Sequence, residues 1–350
     1  MDPAVTPYKT TTNNGFEVLM GVKRGFITRN SLPEYYLQQA SIWFDPIVET
    51  LIEHHYSAGR TLLVGINGCQ GSGKTTLADY LCTCLQARGL RSIAISIDDF
   101  YLTRQQRQQL ARDVHPLLST RGVPGTHDLE LALETLRQLS QNSGDVKVPK
   151  FNKAQDDRLP KEEWPYVETP IDIIILEGWC VGITAEAEEA LLEPVNELES
   201  LKDPQGKWRS YINQQLVTNY PELWQLIDRL IMLQAPSFSC VYQWRLEQEQ
   251  KLAQEQVCKQ GQILAPDEAL KEEALNKGLL KNNHIMQAEE IQHFIQHYER
   301  LTRHSLKYLP KNCQHLFQLT KKRQVVVYQA PNPLPGDPRF GQQNVTLKGL

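Results

Sequence analysis

Short, nearly continuous apolar runs recur along the chain and alternate with stretches in which apolar residues return every three or four positions. The runs at 61–67, 91–97, 171–176, 228–233 and 325–328 are too short for buried helices and are rich in β-branched side chains, so they predict strands. Their apolar character is nearly continuous rather than strictly alternating, as in Ile171-Asp172-Ile173-Ile174-Ile175-Leu176. A strand of that kind is covered on both faces. The pattern therefore predicts an α/β fold: a doubly wound, mainly parallel sheet with helices on both faces and ligands at the carboxyl ends of its strands.

Before the first strand, residues 1–30 are polar without a clear period and predict a loose arm. Ser31-Leu32-Pro33-Glu34 reads as a capping box, and Tyr36, Ala40, Trp43, Phe44, Ile47 and Leu51 follow at helical spacing up to Gly59. That helix is expected to pack on the sheet. Two helical regions, near 183–224 and 244–300, are expected as insertions into a domain spanning 61–330. The stretch Pro331 to Gly349 is rich in Pro, Gly and Asn and predicts an irregular tail over 331–350.

The first predicted strand runs into Gly68-Cys69-Gln70-Gly71-Ser72-Gly73-Lys74-Thr75, and a helical pattern starts at Thr76. This is a complete phosphate-binding loop in the context such a loop requires, so a P-loop nucleotide-binding fold is expected. Glycines at 68, 71 and 73 let successive backbone N–H groups converge on phosphate oxygens, and the helix start adds unpaired amides. Lys74 is placed for the β and γ phosphates, and the Thr75 hydroxyl for magnesium. The nucleotide-binding set is thus Gly68, Gln70, Gly71, Ser72, Gly73, Lys74, Thr75 and Thr76, with ATP and Mg2+ as expected cofactors.

Composition narrows the partners. With 350 residues and a formal net charge of -4, the chain is long enough for a sizeable core and carries no basic surplus for coating nucleic acid or an anionic membrane. Small molecules are the expected partners. Cys69, Cys82, Cys84, Cys180, Cys240, Cys258 and Cys313 show no zinc-type spacing and read as reduced, mostly buried thiols. The start has no basic segment followed by an apolar one, and no run is long enough to span a bilayer, so a cytoplasmic location is expected.

Ser96-Ile97-Asp98-Asp99-Phe100-Tyr101 ends the second strand on the side where the phosphate loop ends. Its paired carboxylates read either as a base and a substrate contact or as a solvated turn. Glu177, after four β-branched or leucine residues, reads as a magnesium-holding carboxylate or as a turn residue. In Arg121-Gly122-Val123-Pro124-Gly125-Thr126-His127-Asp128, Asp128 also suits a helix N-cap and His127 an exposed loop. Arg121, Lys150 and Arg158 can bracket the pocket reached by Asp98, although charge clusters are usually solvated. Arg245, in Val241-Tyr242-Gln243-Trp244-Arg245-Leu246, could close over a transferred phosphoryl group or be an ordinary helix-surface arginine.

Taken together, these motifs resemble the plant and cyanobacterial type of D-glycerate 3-kinase, within the P-loop superfamily of phosphoribulokinase, uridine kinase and pantothenate kinase. The similarity runs from about Leu62 to Leu309. Its narrow part is Ser-Ile-Asp-Asp-Phe-Tyr, Arg-Gly-Val-Pro-Gly-Thr-His-Asp and Leu-Glu-Gly-Trp; the phosphate loop is general to the superfamily. The resemblance implies a small-molecule kinase that phosphorylates D-glycerate at the 3-hydroxyl. It places Asp98 as base, Lys74 and Thr75 at the nucleotide and magnesium, and Glu177 at a Walker-B-like position; from the residues themselves, Lys74 and Arg245 are expected as charge stabilisers and Asp98, Asp99, Tyr101, Arg121, His127, Lys150 and Arg158 around the substrate, with Arg121 or Arg158 at its carboxylate. The stretch from Glu255 to Asn283 is longer than the family pattern. A kinase for a nucleoside or pantothenate-like alcohol, and a regulatory ATP-binding protein, are the alternatives.

Overall fold

The computed structural model describes residues 13–141, 143–248 and 288–329. The stretch from Glu255 to Asn283, within the helical region expected near 244–300, and the tail over 331–350 lie outside them.

The chain opens with helices α1 (Asn13–Asn30), α2 (Tyr35–Trp43) and α3 (Asp45–Ala58), then β1 (Leu62–Gly68), α4 (Lys74–Gln86) and β2 (Ser92–Ser96). Helices α5 (Arg104–Asp113) and α6 (Leu129–Ser140) lead to four short strands, β3 (Asp145–Lys147), β4 (Phe151–Asn152), β5 (Asp157–Arg158) and β6 (Tyr166–Glu168). After β7 (Ile173–Gly178) come α7 (Glu197–Lys202), α8 (Lys207–Thr218), α9 (Tyr220–Gln225) and β8 (Arg229–Gln234). Helix α10 is described over 239–248. Helix α11 (Ala288–Tyr308), β9 (His315–Leu319) and β10 (Val325–Gln329) complete the described chain.

The main sheet has the order β10-β9-β8-β1-β7-β2. Pairings from β2 through β9 are parallel, and β10 is an antiparallel edge. Strand alternation sorts the apolar side chains between two cores. Leu62, Val64, Ile66, Ile173, Ile175, Ile231 and Leu233 join the core under α2, α3 and α4. Leu63, Ile174, Leu176, Leu230 and Met232 join the other, with residues of α6, α8, α9 and α11. Burial on both faces is why these strands read as nearly continuous apolar runs.

Three features depart from expectation. The loose arm is instead helix α1 over its described part: Phe26 is fully buried, its ring 5.2 Å from that of Tyr80, and Lys23 Nζ lies 2.6 Å from Asp45 Oδ2. Its buried and half-buried positions, Leu19, Met20, Lys23, Phe26, Ile27 and Asn30, return at helical spacing, with Lys23 and Asn30 interrupting the apolar stripe. The expected capping box does not form, because α2 starts from Glu34 without a side-chain cap and the helix breaks at Phe44 before Pro46. Gly59, at φ 63°, does end α3. Strand β9 was missed in the sequence because His315 and Gln318 interrupt its apolar run.

If α1 is integral to the core, Phe26→Ala should lower unfolding free energy by about 3–5 kcal/mol in a urea titration. An unchanged midpoint and slope would mean that α1 is dispensable.

Candidate active site

The phosphate loop spans from the end of β1 to the start of α4. Gly73 caps α4 at φ 93° and Gly71 sits at φ 75°, both in the left-handed region that favours glycine. Close approach also requires Gly71, since a Cβ there would stand 2.6 Å from Trp244 Cβ. The Ser72 N–H donates to the Cys69 carbonyl at 3.1 Å and tightens the turn. Ser72 Oγ and Gln70 Oε1 are buried without a partner among the described residues. The first amides of α4, from Lys74 to Thr76, have no acceptor within the helix, as at any helix start.

Glu177 arrives from β7, whose register sets it level with Ile66 of β1 and Ser96 of β2. Thr75 Oγ1 donates to Glu177 Oε1 at 2.9 Å, and Lys74 Nζ lies 3.9 Å from Oε2. Glu177 is buried, and its Oε2 has no hydrogen-bond partner among the described residues. A hydroxyl beside a carboxylate with an unused buried oxygen is an oxygen donor set suited to Mg2+, which keeps waters and takes few protein ligands.

Across from this lies Asp98, in the turn Ile97–Phe100 that Ser96 caps by accepting the Asp98 N–H. Tyr101 Oη donates to Asp98 Oδ1 at 2.7 Å, and Lys153 Nζ lies 2.7 Å from Oδ2. Burial works against the carboxylate, but Lys153, Lys74 and the Tyr101 hydroxyl outweigh it and hold Asp98 well below the usual carboxylate range. Asp98 is therefore ionised and oriented before any substrate arrives. That Lys74 contributes to this field ties the phosphate loop and Asp98 to one site.

The other candidates divide by what they hold. His127 stacks on Tyr101 at 4.7 Å between ring centroids, and its Nδ1 lies 2.6 Å from Tyr220 Oη. Gly125 N–H donates to that same Tyr220 oxygen, so Tyr220 ties the His127 ring to the turn that precedes it. Burial lowers the His127 pKa to about 4, leaving a neutral ring beside the acidic group. Asp99 faces elsewhere: its oxygens take Lys150 Nζ at 2.8 Å and the Phe151 N–H at 3.2 Å, anchoring the β4–β5 hairpin. Asp99 and Lys150 thus hold scaffold to scaffold.

Arg158 Nη1 bonds Asp128 Oδ2 at 3.0 Å, while Asp128 Oδ1 caps α6 by accepting the Leu131 N–H. Arg121 pairs with Asp156, and its guanidinium stands 5.4 Å from the Phe151 ring centroid. Arg245 lies on α10, 5.8 Å from the Phe294 ring centroid. Two participants had no distinct sequence signal. Lys153 was one cation among three in its loop, and only the hairpin turn brings it to Asp98. Tyr298 of α11 donates to the Arg121 carbonyl at 3.2 Å, packing a distant helix against the 121–128 segment.

The phosphoribulokinase / uridine kinase family matches residues 63–193. The uncharacterized kinase mug58 of Schizosaccharomyces pombe is 31% identical over 231 residues, covering 62% of this chain and 80% of that protein. The chloroplastic D-glycerate 3-kinase of Arabidopsis thaliana is 36% identical over 211 residues, covering 55% of this chain but only 42% of that protein. Among solved structures, the D-glycerate 3-kinase from Cryptococcus neoformans superposes with a TM-score of 0.62 at 26% identity, covering 85% of this chain and 99% of that one. With the phosphate loop, the buried Glu177 and the ionised Asp98 meeting at one edge of a mainly parallel sheet, the chain belongs to the phosphoribulokinase / uridine kinase family of P-loop kinases.

Proposed function

We propose that the chain transfers the γ-phosphoryl group of ATP to the 3-hydroxyl of D-glycerate, giving 3-phosphoglycerate. The observation that carries this reading is Asp98, ionised and held by Tyr101 and Lys153 opposite Lys74, Thr75 and Glu177. The cationic surroundings suit a small anionic acceptor better than a nucleoside. Tyr101 is engaged with His127, and Phe151 packs edge-on against Tyr101 at 5.2 Å, so these rings stack on one another. Two of the similar proteins, from Arabidopsis and Cryptococcus, carry the name D-glycerate 3-kinase.

On this reading the loop amides and Lys74 bind the triphosphate. Thr75 and Glu177 would hold Mg2+, which when bound neutralises charge on the phosphate oxygens. Asp98 orients the acceptor hydroxyl and takes its proton late, because the transition state of phosphoryl transfer is loose and most of the barrier reduction comes from positioning and cations. Arg158 is the stronger candidate for the substrate carboxylate: its Nε is buried without a partner among the described residues, and a guanidinium presents donors in a planar fork. Arg121 is the second. Arg245 supplies charge to the transferred group.

Purified protein should consume ATP with D-glycerate and much less with L-glycerate, a nucleoside or pantothenate. Turnover independent of every acceptor would instead indicate a regulatory ATPase. Asp98→Asn should abolish transfer while nucleotide binding, followed by titration calorimetry, stays intact; retained activity would move the base elsewhere. Removing the cation beside Asp98 raises its pKa, so Lys153→Ala should shift the acid limb of the kcat/KM profile to higher pH. An unmoved limb would deny Lys153 that influence. Arg245→Ala should lower kcat much more than ATP affinity, and equal losses in both would remove its part in the transfer step.

A further inference from the structure

The phosphate loop is gripped from outside by a residue far along the chain. Arg323 Nε donates to the Gly71 carbonyl at 2.6 Å, and Arg323 Nη2 lies 2.6 Å from Glu247 Oε2 on α10. The guanidinium stands 5.2 Å from the centroid of the Trp244 ring, and Trp244 Nε1 donates to the Lys321 carbonyl at 2.8 Å. Helix α10 and the β9–β10 turn are thus latched in both directions, with the loop between them.

The turn is shaped for this grip. Arg323 sits at φ 62°, a left-handed conformation that only surrounding structure can maintain in a residue with a Cβ. Those surroundings are present: the Arg323 N–H donates to the Thr320 carbonyl at 2.9 Å, and Thr320 Oγ1 accepts from both Lys322 and Gln324 N–H at 3.2 Å. Gly71 cannot gain rigidity from a side chain of its own, because Trp244 occupies that space. A loop with glycines at 68, 71 and 73 must be ordered before its amides can converge on phosphates. An external, charge-assisted bond meets that need without entering the cradle.

We propose that Arg323 is a positioning residue for nucleotide binding. It holds the Gly71 peptide, and with it the loop, in the receptive conformation, and Glu247 aims it. Loop ordering then occurs on folding rather than on binding, which is preorganisation. The same contact ties the loop to the helix that bears Arg245. The inference rests on the loop being the nucleotide cradle, as the family implies, and is independent of which alcohol accepts the phosphoryl group.

The test is direct titration of a non-hydrolysable ATP analogue with Mg2+, well below each variant's melting temperature. Arg323→Ala should weaken binding by about tenfold or more, the scale expected when a flexible loop must be ordered by its ligand. Arg323→Lys keeps the charge but not the fork and should remain weak. Glu247→Gln separates positioning from bare electrostatics, because removing a negative charge would by itself tighten binding, whereas an unaimed Arg323 should weaken it several-fold. Glu247 is at the surface, so that variant is expected to fold even if Arg323→Ala does not. Wild-type affinity in Arg323→Ala, full recovery in Arg323→Lys, or tighter binding in Glu247→Gln would each overturn the proposal. Failure of the wild-type chain to bind the analogue would overturn the kinase reading instead.

Discussion

The parallel pairing of β7 between β1 and β2 is the constraint on which the site depends. It sets Glu177 level with Ile66 on one side and Ser96 on the other. The phosphate loop begins two residues after Ile66, and the Asp98 turn begins directly after Ser96, so one register brings three separate segments to the same edge. A slip of one residue would turn the apolar side chains of β7 to the wrong faces, and the burial of Ile173 through Leu176 opposes it. The cores that stabilise the sheet therefore also fix the distance between the Thr75 hydroxyl and the Glu177 carboxylate.

Gly178 shows how tightly that edge is drawn. A Cβ there would collide with the Ile97 side chain, the residue before Asp98. The Asp98 turn is thus packed directly on the end of the central strand rather than suspended in a loop. Asn67 adds a second tie, donating to the carbonyls of Trp179 and Val181 at 3.0 and 2.8 Å. Chemistry placed on such rigid ends needs little further ordering.

Charge in the site is organised in pairs. Asp98 with Lys153, Asp99 with Lys150, Asp128 with Arg158, and Asp156 with Arg121 and Arg107 each join segments distant in sequence. These pairs are partly buried, where desolvation offsets much of the attraction, so their main effect is orientation. Arg107 differs: it is buried and also bonds the carbonyls of Leu102, Ser119 and Asp156, acting as a post that joins these loops. Its position in the polar run Arg104-Gln105-Gln106-Arg107 hid this role, since nothing local distinguishes a buried arginine from a solvated one.

The sequence alone determined what depends on local backbone chemistry and on strand burial: the phosphate loop, its flanking strand and helix, the parallel strands around it, and the placement of Asp98 and Glu177 at strand ends. Glycine spacing and nearly continuous β-branched runs carry that information because conformation and desolvation act residue by residue. Only the tertiary structure decided which cation meets which carboxylate. Lys153 rather than Lys150 reaches Asp98, Asp99 turns away to hold a hairpin, α1 is a packed helix, and Arg323 grips a loop some 250 residues earlier. Those outcomes depend on long-range packing, and a charged side chain carries no mark in the sequence of the partner it will find.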